Sequence, residues 1–178
     1  MLDQDIVRLE RALGTLVDPG ASRDAVWASA AAVSTALDAL DGPSKRQALA
    51  GLVLRGAKEL LLVPGLLRCL ADADHEVRSA AAALLWSTAS EMGLDPFAGE
   101  AVDAFLGALD DEDPRVRTSA IGALGAITYG DAGTLDRVVE RLVRVTVDTG
   151  DRRAAAVTLD TLRSLVEQLP SGAPGASA

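Results

Sequence analysis

Asp110, Asp111, Glu112 and Asp113 are four consecutive carboxylates that run into Pro114-Arg115-Val116-Arg117. Clustered oxygens are what Ca²⁺ and Mg²⁺ require. The spacing is not that of a calcium loop, which alternates its ligands as D-x-D-x-D-G and closes with a distal Glu. Carboxylates have another use here. Asp113 stands where the N-cap of a following helix belongs, and its neighbours favour the positive end of that helix's dipole. The cluster therefore reads as capping chemistry, with no metal and no cofactor. His75 is the one histidine and Cys69 the one cysteine, which gives neither a zinc set nor an intrachain disulfide. His75 falls in a solvent-facing first-turn slot, and Cys69, inside an apolar run, reads as a small buried hydrophobe. Nothing marks a nucleophile. Arg137, Arg141 and Arg144 recur at helical spacing with Asp136 and Glu140 between them, the pattern of a solvated, salt-bridged face.

Bulk properties narrow the partners. A net charge of −9 disfavours duplex nucleic acid and anionic lipid, which both need concentrated Lys and Arg, and favours a partner with a basic surface. The 178 residues suffice for one domain, 49% of them hydrophobic but only 3% aromatic. An Ala- and Leu-rich core with so few rings implies close-packed helices. The N-terminus lacks a basic stretch followed by an apolar one, and no apolar run is long enough to span a bilayer. The expectation is a cytoplasmic protein with neither membrane nor nucleic acid as partner.

The elements that position these residues are helices of 3–17, 22–40, 44–61, 64–72, 74–91, 97–109, 113–129, 132–148 and 151–169. Pro19-Gly20, Gly42-Pro43, Pro64-Gly65 and Gly130 separate them, with Ser22, Asp74 and Asp113 as N-caps and Pro43 and Pro114 in first-turn positions. Trp27, beside Val26 and a run of alanines, is assigned to the core. Residues 1–169 form a single domain, and 170–178, rich in Gly, Pro, Ala and Ser, a disordered tail.

Two of these helices are copies. Leu70–Thr88 lies 39 residues before Leu109–Ile127, and seven positions coincide: Leu70/Leu109, Asp72/Asp111, Asp74/Asp113, Val77/Val116, Arg78/Arg117, Ala81/Ala120 and Leu85/Leu124. Val, Ala and Leu at i, i+4 and i+8 form one apolar stripe. The opposite face of the first copy carries Ser79, Trp86 and Ser90; that of the second carries Thr118, Gly122, Gly125 and Tyr129. Small residues with Trp86 and Tyr129 standing above them suit a partner-binding surface, unless Trp86 fills a gap against the adjacent repeat.

The motif L-x-D-x-D-x-x-V-R-x-x-A-x-x-x-L resembles HEAT-like repeats, best over 64–91 and 97–129. The resemblance implies an all-α fold, a short right-handed α-solenoid of about four helical hairpins plus an N-terminal capping helix. It implies that Asp72 or Asp74 with Arg78, and Asp111 or Asp113 with Arg117, form a hydrogen-bonded ladder between repeats. It also places the second helices on the concave face, so the expected function is a non-catalytic protein–protein interaction module: an adaptor, regulator or immunity-type binder. HEAT-like repeats resemble bilin lyase subunits too. Under that alternative a small apolar ligand occupies the groove beside Trp86 and Tyr129, with Glu59, Glu91 or Asp160 as acid/base.

Overall fold

Aspartate side chains and prolines start most of the helices. In the computed structural model, which describes residues 2–52, 59–148 and 152–168, these are α1 (Leu2–Val17), α2 (Arg23–Ala39), α3 (Gly42–Ala50), α4 (Val63–Cys69), α5 (His75–Met92), α6 (Ala98–Ala108), α7 (Pro114–Ala126), α8 (Ala132–Asp148) and α9 (Arg152–Gln168). Ser22 accepts from the Ala25 N–H, Asp41 from Ser44, Asp74 from Glu76 and Asp113 from Arg115, so each satisfies a donor that the first turn leaves without an intrahelical partner. Pro43 and Pro114 occupy the first turns of α3 and α7. Gly93, at φ +74°, ends α5 in a backbone conformation that favours glycine.

One expected helix is different. The span 44–61 ends as α3 at Ala50, and a separate 3-10 turn covers Glu59–Leu62; residues 53–58 and the tail 170–178 lie outside the described residues. Helix α7 also stops earlier than its apolar pattern suggests, with Ile127 extended at φ −78°, ψ 137°.

The helices stack in two layers. Helix α4 packs on α5, α6 on α7 and α8 on α9, while α3, α5, α7 and α9 follow one another in the second layer. The first unit is looser: α2 packs on α1, on the 3-10 turn and on α4, whereas α3 packs on α5. The result is an all-α solenoid with α1 as its N-terminal cap. No helix among the described residues is long and apolar enough to cross a membrane.

The repeat stripe is the centre of the core. Val77, Ala81 and Leu85 of α5 and Val116, Ala120 and Leu124 of α7 are all fully buried. Alanine stands at the middle of both stripes, and Phe105 of α6 is the largest fully buried side chain of the core. Cys69 is buried, and burial pushes its thiol pKa up. Trp27 is not core: its side is 53% exposed. It sits about 120° around α2 from the buried Val33, off the stripe formed by Val26, Ala30, Val33 and Leu37.

Candidate functional site

The acidic corner is resolved by its cations. Arg78 of α5 donates from Nε to Asp111 Oδ2 (2.7 Å), from Nη2 to Asp111 Oδ1 (3.1 Å) and from Nη2 to Glu112 (3.0 Å). Its Nη1 donates to the carbonyls of Asp72 and Ala73, which closes its own turn. One repeat earlier, Lys45 donates to Asp72 at 2.6 Å. The rungs thus run from the cation of one repeat to the carboxylate of the next. Asp72 and Asp111 each accept the N–H of the aspartate two residues on, at 2.9 and 2.8 Å, so the twin sequences build twin turns. Arg117 makes the same carbonyl contacts as Arg78, to Asp111 and Glu112.

The capping aspartates form a second row. Asp74 lies 3.6 Å from Arg46. Asp113 is buried and accepts from Arg115, and the Arg115 guanidinium also reaches Glu76, its counterpart one repeat back, at 3.0 Å. His75 keeps an exposed edge but is not idle, since its Nδ1 lies 3.3 Å from Asp113 Oδ2. Arg115 foremost holds the Asp113 carboxyl far below the usual range. At Asp72 and Asp111 burial opposes ionisation, but hydrogen bonds from Lys45, from Arg78 and from the turn N–H groups outweigh it and leave both pKa values lowered. Asp110 pairs with Arg141 and Asp103 with Arg137, so the arginine stripe of α8 faces α6 as well as its own Glu140. Among the described residues no group of three or more His, Cys, Asp or Glu is placed to hold a metal.

The surface around Trp86 is built from absent side chains. A Cβ on Gly122 would stand 2.5 Å from Trp86 Cε2, so the indole of α5 lies directly over the α7 backbone. A Cβ on Gly125 would meet Thr161 of α9 at 2.9 Å. Thr161 is buried there, donating its hydroxyl to the Ile121 carbonyl at 3.3 Å. Across this contact runs an open trough of about 370 Å³, lined by Trp86, Gly122, Gly125, Ala126, Val157, Asp160, Thr161 and Ser164. Trp86 does two things at once: it fills the space over Gly122 and stays 39% exposed.

Of the residues singled out from sequence, the fold brings together Trp86, Gly122, Gly125 and Asp160. Tyr129 leaves the group. It lies beyond the end of α7, half-buried against the core, with its hydroxyl donating to the Leu124 carbonyl, and burial raises its pKa well above the ordinary tyrosine value. Ser90 donates to the Trp86 carbonyl and Thr118 to that of Pro114, so both hydroxyls are turned onto their own helices. Ser79 is half-buried on the second turn of α5. Glu91 accepts from Ser87 on the exposed last turns of α5, away from the trough lining. Glu59 opens the 3-10 turn, and its side chain lies outside the described residues. Val157, Thr161 and Ser164 were missed, although with Asp160 they follow i, i+3, i+4, i+7, one face of a helix.

A two-layered stack of helical hairpins with a repeating Asp-to-Arg corner defines a helical-repeat protein. The chain belongs to the HEAT-repeat family, whose sequence model matches residues 63–163, more than half of its length. Among solved structures, a designed armadillo repeat protein is similar at 17% identity and a TM-score of 0.49. That match covers 88% of this chain, which spans 64% of the designed protein's length. No curated protein matches.

Proposed function

We propose that the chain is a non-catalytic protein-binding module, an adaptor, regulator or immunity-type binder, that holds its partner across α5, α7 and α9. The observation that carries this reading is the trough with a half-exposed Trp86 seated on Gly122. Partly exposed aromatic rings beside small residues anchor partner side chains, and a ring already fixed by packing loses little freedom on binding. HEAT-like repeats typically mediate protein–protein interaction. The charge of −9, with Asp160 on the trough wall, suits a basic partner and speeds its approach at low salt.

The lyase-like alternative is less well supported. The trough is open along its length, and Asp160 is the one carboxylate among its described lining residues, whereas small-molecule sites enclose most of their ligand. The test is a pull-down from the native host, followed by affinity measurement with the partner recovered. Trp86→Ala should weaken binding by roughly 10- to 100-fold, a hot-spot loss. Unchanged affinity in that variant removes the trough as the binding surface.

A further inference from the structure

The last described hairpin leaves one side uncovered. Helix α8 turns one flank to α6, through Arg137–Asp103 and Arg141–Asp110. Helix α9 turns one flank to α7, through Thr161 and Val157. The opposite flanks face away from the solenoid and are apolar. Val143 and Val147 of α8 are 46% and 77% exposed, and Leu159 and Val166 of α9 are 58% and 63% exposed. These are four of the seven large apolar side chains most exposed among the described residues, and they lie on a single face. At the other end, α1 exposes Val7 amid Arg8, Glu10 and Arg11, the polar finish expected of a solenoid end.

We propose that the α8–α9 face is a self-complementary interface that docks a second copy of this chain. A two-fold contact needs a patch that matches itself. With the axis parallel to the helices, α8 of one copy lies over α9 of the other. The three-residue link between α8 and α9 makes them antiparallel, so the start of α8 is level with the end of α9. That sets Val143 within a turn of the second copy's Leu159, and Val147 within a turn of its Ala155. Asp136 falls beside the second copy's Arg163, one residue from level, and both side chains are exposed. Charge thus matches where the apolar contact ends. Two helices of this length, ~25 Å long and ~10 Å apart, offer a face on the order of 500 Å² in projection. That is below the roughly 600–800 Å² per partner of a standard specific contact, and implies a weak, concentration-dependent dimer.

Light scattering on the full chain tests this. At about 100 µM the mass should approach twice 18.3 kDa, and it should fall to the monomer on dilution by about 100-fold. Leu159→Lys and Val143→Lys should each give a monomer throughout, with unchanged helical circular dichroism and the melting temperature of the dilute wild type, because both side chains are exposed. Asp136→Arg or Arg163→Asp should each weaken the dimer about tenfold, and the double variant should restore it. Trp86→Ala, on the other side of α9, should leave the mass unchanged, so the trough and this face fail separately. A wild-type monomer at every concentration overturns the proposal, whether residues 169–178 or a different protein cover the face. A dimer that survives Leu159→Lys overturns it equally.

Discussion

Arg78 carries more of the structure than its place on a helix surface suggests. Its side chain is 11% exposed and that of Asp111 is 9% exposed, so the pair is shielded from water and each partner depends on the other. Arg78→Ala strands a buried carboxylate and frees two turn carbonyls. It should cost about 2–4 kcal/mol of unfolding free energy, read from urea denaturation. Arg117→Ala should cost about 1–3 kcal/mol, the loss of a charged hydrogen-bonding group, and should leave partner binding intact. Tyr129→Phe removes the hydroxyl that donates to Leu124; a loss of about 0.5–1.5 kcal/mol is expected with no change in affinity for a partner. The signature D-x-D-x-x-V-R was readable at this scale. Which aspartate each arginine reaches was not, because that depends on how one repeat is rotated on the next.

At the scale of elements, the two glycines of α7 separate a functional contact from a structural one. Gly122→Ala drives a Cβ into the indole of Trp86, whose exposed ring can swing aside. The expected result is a small change in melting temperature, a red-shifted Trp86 emission in a Trp27→Phe background, and weakened partner binding. Gly125→Ala pushes instead on buried Thr161, which is held within α9. The α7–α9 packing must open, at about 1–3 kcal/mol of stability. Thermal melts of both variants distinguish the cases, and equal destabilisation would contradict this assignment. The helical wheel located the buried faces of α5 and α7 because burial follows the 3.6-residue period over many turns. It misplaced Tyr129 for a definite reason: the period was carried past Ala126, where the helix had already ended. Trp27 failed differently, since alanine neighbours are compatible with either face of α2.

For the whole molecule, charge decides how stability responds to pH. Asp72, Asp111 and Asp113 all have lowered pKa values in the folded chain. A carboxylate whose folded pKa lies below its unfolded value of about 3.9 adds stability above that pH, and the contribution disappears as pH falls through the folded pKa. Thermal stability should therefore hold down to about pH 5 and decline steadily below about pH 4. Asp111→Asn should be less stable than wild type at pH 7 and should lose less between pH 5 and pH 3. A parallel decline in the two proteins would mean that the Asp111 pair contributes nothing to acid unfolding. Binding to a basic partner should weaken with added salt, because the long-range field of the solenoid is screened within about 10 Å at 0.1 M.

The sequence alone determined most of the helices and their caps, the repeat and its buried stripe, because each depends on local spacing: a side chain and an N–H a turn away, or residues at i, i+4 and i+8. It also placed Trp86, Gly122 and Gly125 on one outward side. Only the tertiary structure decided that Asp160 and Thr161, some 35 residues further on, complete that surface, that Tyr129 does not belong to it, and that the outer flanks of α8 and α9 share one uncovered face. Those outcomes depend on the rotation and distance between stacked helices. Gly122 and Gly125 set that distance by what they lack, and a missing Cβ shows its effect only when the neighbouring helix is in place.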